Sequence, residues 1–336
     1  IPSGGNGSSW QSAFKHLQNG LAAAVAGDEI WVTEGNYKPD EGSAMTTGDR
    51  EASFALVNGV RLYGGFKGTE TTRNPLGDFN QTILSGEIDD NQTAWSYHVV
   101  TGGNLDSSTV ISGFRITKGN ANGNLWNAMG GGILLEQSSP KITHCFVTKN
   151  SAAFYGGGIY SVDSSPSLAN SLFARNSANY QGGGIYLNKG QQQNSYTTYP
   201  SLANCVFSGN SATRGGGLYN DSSSPAITNS IFFGNTSAYR GGGIYGNMSS
   251  PLISNCTFTA NSADNKGGAI YTSASSSATM QNSIFFGNTS GNEVGHGING
   301  GWSNGALMQL VIDEDNPGEA VYETVPGTSN LIQGKD

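Results

Sequence analysis

Glycine triads recur along the middle of this chain at a nearly fixed interval, and that period constrains the fold more than any other feature. They start at Gly130, Gly156, Gly182, Gly215 and Gly241, with a Gly-Gly-Ala variant at Gly267, so the spacings are 26, 26, 33, 26 and 26. The long interval holds an insertion around KGQQQNSYTTY, residues 189 to 199. Each copy reads approximately GGGIY, a polar turn with Ser-Ser-Pro, an apolar residue, Asn-Cys or Asn-Ser, a Phe and an Asn. Short apolar alternations such as Pro140 to Phe146 are broken by Gly, Ser, Pro and Asn, and no copy holds a helical periodicity, so the unit reads as strands joined by turns. A unit of this size cannot bury its own apolar residues, so copies must stack, each pairing in parallel with its neighbours at about 4.8 Å per rung.

Stacking places equivalent positions in columns. Ile133, Ile159, Ile185, Leu218, Ile244 and Ile270 form one apolar column, and Ile142, Leu168, Leu202, Ile227, Ile253 and Met280 a second. Both belong inside. A turn asparagine recurs as Asn170, Asn204, Asn229, Asn255 and Asn282, with His144 in the first copy; stacked amides there are expected to satisfy one another in a buried ladder. The next column alternates Cys145, Ser171, Cys205, Ser230, Cys256 and Ser283. Neighbouring cysteines thus lie two rungs apart, about 9.6 Å, beyond the roughly 7 Å limit for a disulfide. All three are expected as free, packed thiols. The fold class is all-β: a right-handed parallel β-helix with a short N-terminal capping helix.

One β-helix domain over 1–336 divides into four parts: a capping helix at 8–27, irregular coils at 28–128, regular coils of about 26 residues at 129–300 and C-terminal coils at 301–336. Ser8 and Gln11 have capping-box spacing, and Trp10, Phe14, Leu17, Leu21 and Val25 recur at helical intervals. This helix would plug the open end of the solenoid, whose strand edges otherwise invite aggregation. The irregular coils centre on EIWVTEG, VRLYGGF, QTILSGEI, YHVVTGG and TVISGFRITKGN. The tail carries an apolar run from Ala306 to Ile312 and a coil-like segment near Leu331, with no second plug, as in one domain of a longer protein.

Only 12% of the residues are charged, against roughly 25% in soluble domains, and Gly, Ser, Asn and Thr fill the difference. A net charge of −8 without a basic run argues against nucleic acid and membrane surfaces as partners. No stretch approaches the roughly 20 apolar residues that span a bilayer, and the polar start lacks a signal-peptide pattern, so any export signal is expected to be gone already.

The pairing of GGGI or GGAI with Phe-x-x-Asn, as in FARN, FSGN, FFGN and FTAN, resembles the repeat of chlamydial polymorphic outer-membrane proteins and of many bacterial extracellular β-helix proteins. It covers residues 130 to 290. The resemblance implies a secreted, extracellular, bacterial scaffold of a kind shared by adhesins, lyases, hydrolases and carbohydrate-binding modules.

β-Helix enzymes of those groups act on polysaccharides. Glycoside hydrolysis needs two carboxylates roughly 5 to 9.5 Å apart, and Glu136, Asp163, Asp221, Asp264 and Glu293 never share a column on adjacent rungs. Asp89, Asp90 and Gly295-His296-Gly297 resemble motifs of polygalacturonases, but their order and their distance in sequence do not fit, and Gly295 to Ile298 reads better as a seventh, degenerate copy of GGGI. A pectate- or alginate-lyase likeness would call for a basic residue beside carboxylate-bound calcium: Arg115, Lys118, Arg214, Arg240 or Lys266 as base, with Glu87, Asp89 and Asp90 around the ion, or as a solvated turn.

Binding requires less. Aromatic faces with planar amide and guanidinium donors hold sugars. Tyr160, Tyr186, Tyr219, Tyr245 and Tyr271 follow the inward Ile, point outward and are expected to stack as a structural ladder. The turn before each triad varies: Phe154 and Tyr155, Tyr180 and Gln181, Arg214, Tyr239 and Arg240, then Asn265 and Lys266. Glycines between these columns would leave a shallow trough about 24 Å long, or would only let coils turn closely. Trp126 and the insertion with Tyr196 and Tyr199 would wall its ends. The substrate-binding set expected is Trp126, Tyr155, Tyr180, Gln181, Tyr196, Arg214, Tyr239 and Arg240, with no catalytic or metal-binding residues.

The function expected is a non-catalytic carbohydrate-binding domain for an extended plant-type polysaccharide such as xylan, without a cofactor unless calcium serves one. The chain is expected to be a monomer, tethered to a catalytic domain. The alternatives are a polysaccharide lyase or glycoside hydrolase, marked by product release, and an adhesin or passenger protein, marked by binding to a protein or cell surface instead of a glycan.

Overall fold

The computed structural model describes residues 5–73, 81–88, 94–189, 199–273 and 275–291, and the strands at 298–299, 301–303, 307–312 and 320–325. Side-chain parity builds each coil. In the copy from Gly156, Ile159–Val162 turns Ile159 into the core, Ser167–Ala169 buries Leu168, and Leu172–Ala174 buries Phe173. Ser177–Ala178, a short corner strand, buries Ala178 before the next triad. The sharp bends between strands fall on residues in the left-handed region, Asn170 at φ 50° and Arg175 at φ 54°, a conformation that asparagine tolerates better than most side chains.

Four sheets result, running the length of the solenoid. Face 1 has nine strands and contains Ile159–Val162, face 2 has ten with Ser167–Ala169, and face 3 has eleven with Leu172–Ala174. The corner sheet has seven and contains Ser177–Ala178. Neighbouring coils pair in parallel and in register. The two expected apolar columns are in place, Ile133 through Ile270 on face 1 and Ile142 through Met280 on face 2, each residue at most 1% exposed. Face 3 adds a phenyl column: Phe173, Phe207, Phe232, Phe258 and Phe285 stack with centroids 4.4–5.0 Å apart. Burying each ring contributes about 2 kcal/mol. The irregular segments also form rungs: Glu29–Thr33, Arg61–Phe66 and Val110–Ser112 lie on face 2, Thr82–Ser85 and Arg115–Thr117 on face 3, and Val100–Gly103 on face 1.

Cys145, Cys205 and Cys256 are free and buried. The serine on the following rung accepts each cysteine's amide N–H at 3.1–3.2 Å. Burial pushes the Cys145 thiol up to about 12 and those of Cys205 and Cys256 to about 11.

The buried amide ladder is formed by a different set of asparagines from the one expected. Asn170, Asn204, Asn229, Asn255 and Asn282 are exposed turn residues with φ of 46–54°, not buried ones. Within that column Asn204 donates to Asn170 Oδ1 at 3.1 Å and Asn170 Nδ2 lies 3.4 Å from His144 Nε2, as expected of stacked amides. The ladder consists of Asn150, Asn176, Asn210, Asn235, Asn261 and Asn288, all at most 5% exposed; the last five close the Phe-x-x-Asn motif, and Asn150 closes the equivalent Val147-x-x-Asn. Each of the first five donates from Nδ2 to the Oδ1 of the next at 2.9–3.1 Å. That same Oδ1 also accepts the previous asparagine's amide N–H at 3.0–3.1 Å. The inward turn of this position follows from parity: it comes three residues after an inward Phe, or Val147 in the first copy, across the bend at Arg175 and its equivalents.

The N-terminal helix is shorter than its periodicity suggests. Ser9, not Ser8, caps a 3-10 turn over Trp10–Ser12, and Ala13 is extended, which ends that turn. The α-helix covers only Leu17–Ala23. Trp10 leaves the helical register to pack on Trp31 and Phe66, donating its indole N–H to the Glu70 carbonyl. Leu17 and Leu21 join the core of the first rungs, while Val25 is exposed. At the other end, Gly301–Ser303 and Leu307–Ile312 continue faces 2 and 3, and Ala320–Val325 then pairs antiparallel to Leu307–Ile312 instead of forming a further coil. The segment near Leu331 lies outside the described residues.

Candidate functional site

The outer side of face 1 gathers the side chains with chemistry. On Ile185–Asn188 and its neighbours, the second position points outward and carries tyrosine. Tyr160, Tyr186, Tyr219, Tyr245 and Tyr271 stack with centroids 4.8–5.2 Å apart. The first four are only 4–8% exposed, so the column is a structural ladder. Burial, and next the neighbouring Tyr155 and the Asp221 carboxylate, push the Tyr160 hydroxyl up to about 12. Burial and Asp221 likewise raise Tyr186 and Tyr219.

On one flank of the ladder lies the strand's fourth position: Glu136, Val162, Asn188, Asp221 and Asn247. Asp221 accepts from the Tyr186 hydroxyl at 2.9 Å and from the amides of Asn188 and Asn247 at 3.1 and 2.9 Å. The alternation of this outward position was visible in the sequence, but its residue types do not repeat, and it was not singled out.

On the other flank, Met129, Tyr155, Gln181, Arg214, Arg240 and Lys266 stand in register on six successive rungs. Tyr155 stacks on Tyr186 at 4.9 Å. Farther out, Phe154 and Tyr180 lie 5.5 Å apart and are 39% and 52% exposed. Tyr239 lies under two guanidiniums, those of Arg214 at 5.2 Å and Arg240 at 4.4 Å. Arg240 also covers Tyr271 at 4.8 Å and donates to its hydroxyl at 2.9 Å. Trp126, on the 3-10 turn Leu125–Ala128, meets Tyr160 edge-on at 6.2 Å and is 45% exposed. It stands at the N-terminal end of the tyrosine stack.

Seven of the eight expected binding residues therefore share one strip along the edge between the corner sheet and face 1. Tyr196 lies outside the described residues, and Tyr199, exposed, sits beyond the opposite edge of face 1, where its amide donates to Ser165. The glycine triads do not line a trough. They are buried, and the next coil's backbone occupies the space a side chain would need: a Cβ on Gly183 would lie 2.3 Å from the Ser211 carbonyl oxygen and 2.6 Å from that of Gly216. The strip is a ridge of rings and donors over a closed floor, suited to a ligand lying across it.

Elsewhere, Glu87 and Lys118, candidates for a calcium ligand and a base, form an ion pair with each other. Asp89, Asp90, Glu293 and Gly295-His296-Gly297 lie outside the described residues. His98, which the sequence gave no reason to single out, is buried with Nδ1 3.0 Å from the Gly130 carbonyl, and burial holds its imidazole below the usual value. No group of three or more metal-ligating side chains occurs among the described residues.

Comparisons with known proteins concern the scaffold. Residues 169–310 match the family described as the right handed beta helix region. No curated protein matches the chain. Among solved structures, ORF18 of Geobacillus virus E2 is 12% identical over 88% of this chain, with a TM-score of 0.41, and the chain spans 56% of its length. The catalytic unit of a thermostable GH87 α-1,3-glucanase from Streptomyces thermodiastaticus strain HF3-3 is 14% identical over 91% of this chain, with a TM-score of 0.35 and 67% of its own length spanned. The solenoid is a right-handed parallel β-helix.

Proposed function

We propose that this chain is a non-catalytic carbohydrate-binding domain, secreted and monomeric, that holds an extended plant-type polysaccharide of the xylan class along the strip beside the tyrosine ladder. One observation carries this reading: exposed rings of Trp126, Phe154, Tyr180 and half-buried Tyr239 follow one edge of the solenoid, with Gln181, Arg214 and Arg240 set among them. Rings offer apolar faces to pyranoses, and amide and guanidinium groups offer planar pairs of donors to hydroxyls and carboxylates. Six rungs make the strip about 24 Å long, the dimension of several sugars in a row.

The rings are held before any ligand arrives. Phe154 and Tyr180 pack on each other, Tyr155 on the ladder, and Tyr239 beneath two guanidiniums, so little side-chain entropy remains to be lost on binding.

The test is affinity electrophoresis of the purified chain through gels containing xylan, β-glucan, pectin or alginate, beside reducing-sugar and unsaturated-product assays. Retardation without product is the expected result. Product release would make the chain a lyase or hydrolase, and neither retardation nor product would favour an adhesin.

A further inference from the structure

The strip is not uniform along its length. Its N-terminal rungs carry Met129, Tyr155 and Gln181, all neutral, and its last three carry Arg214, Arg240 and Lys266 in register. Cations on adjacent rungs lie about 4.8 Å apart at the backbone, where like charges repel. Among the described residues no carboxylate is within ion-pair distance of Arg214 or Arg240, whereas His16–Glu41, Arg61–Glu29 and Lys118–Glu87 pair elsewhere. Across the ladder, Asp221 is already engaged by Tyr186, Asn188 and Asn247, and Asp264, exposed in the turn before Lys266, is beyond ion-pair distance of both arginines.

The two guanidiniums are also oriented. Ring faces of Tyr239 and Tyr271 hold them, and Arg240 spends one N–H on the Tyr271 hydroxyl. An arginine has five donors; the Nε of Arg240 is buried without a partner among the described residues, so the terminal N–H groups not given to Tyr271 are the ones left for a planar or tetrahedral anion.

Resting on the binding reading above, we infer that the ligand is an acidic glycan, whose anionic substituents, uronate carboxylates or sulfate esters, lie over Arg214 and Arg240 while its neutral sugars lie over Phe154, Tyr155 and Tyr180. The ligand thereby has a fixed direction on the solenoid. With a net charge of −8, the chain as a whole repels a polyanion, so preference for an acidic glycan must come from this local column.

The test compares glycans of one backbone with and without charge: polygalacturonate against its methyl ester, and dextran sulfate against dextran, in affinity gels at low salt and at about 0.5 M salt. At least one charged member is expected to bind about tenfold more tightly than its neutral twin. That preference should vanish at high salt and in the double variant Arg214→Gln/Arg240→Gln, with an unchanged melting temperature. Lys141→Gln on face 2 should leave it intact. Preference for polygalacturonate alone identifies uronates, and for dextran sulfate alone sulfate esters. Equal retention of both twins, or a preference that survives the double variant, overturns the inference and leaves the binding reading standing. A Phe154→Ser/Tyr180→Ser variant retained as strongly as the parent overturns the binding reading itself.

Discussion

Two columns lie within six residues of each other in every coil and behave in opposite ways. At the inner corner, six successive rungs carry the same residue, Asn150 through Asn288. At the outer strip the rungs carry Met, Tyr, Gln, Arg, Arg and Lys. The inner column cannot vary because each amide is donor to one rung and acceptor for another, and a buried amide that loses a partner costs about 1–3 kcal/mol. The outer column has no such closure. Sequence identity from rung to rung therefore marks what the solenoid needs, and variation beside it marks where something outside the solenoid decides.

The sharpest way to break that comparison is at the triads, where the fold demand is steric. Gly183→Ala drives a Cβ into two backbone carbonyls that have no room to move, and is expected to cost about 4 kcal/mol or prevent folding, read as lost soluble yield or a collapsed melting temperature. Next, Asn210→Ala removes an acceptor from the Asn176 amide and donors from Phe173 and Asn235. It should cost about 3 kcal/mol in urea unfolding, with binding by the surviving folded fraction unaltered.

The third change runs the other way. Asn220 sits in an inward column between Leu187 and Gly246, fully buried, with neither amide atom partnered among the described residues. Asn220→Leu is expected to stabilise the chain by about 1–2 kcal/mol; destabilisation would mean that this inward column also obeys a polar demand.

The smallest effect concerns pH. Burial depresses the His98 pKa in the fold, so the folded chain keeps a neutral imidazole while the unfolded chain gains a proton below about 6.5. The contribution is complete above that pH and is lost as pH falls toward the folded value. Thermal melts at pH 7.5 and 5 should differ less for His98→Asn than for the parent.

Much of this was legible from the period. Triads at a 26-residue spacing placed the rungs, and the Ile and Leu columns and the unpaired thiols followed from stacking. Asn recurs twice per coil, and periodicity cannot separate an inward Asn from a turn Asn. The turn column, whose side chains bond to one another at Asn204, Asn170 and His144, thus does not reveal that the buried ladder lies in the other column. Parity after an inward Phe separates them, once the bends at Asn170 and Arg175 are known to reset it. The trough failed for a related reason: a residue without a side chain suggests open space, but at Gly131, Gly157 and Gly183 the next coil's carbonyls fill it. The strip is legible in the turn before each triad, whose residue types vary from rung to rung. The double seating of Tyr239 under Arg214 and Arg240 is not, because the Arg214 coil is one residue shorter there and the register shifts between Ala212 and Arg214.

The most direct test of the division between scaffold and strip is one titration of the variant Phe154→Ser/Tyr180→Ser/Tyr239→Ser against the glycan that retards the parent most, with its melting temperature measured on the same sample. Binding weakened at least about tenfold, with a melting temperature lowered by less than in Asn210→Ala, is the expected result. Full binding by the variant, or a fall in melting temperature as large as that of Asn210→Ala, would contradict it.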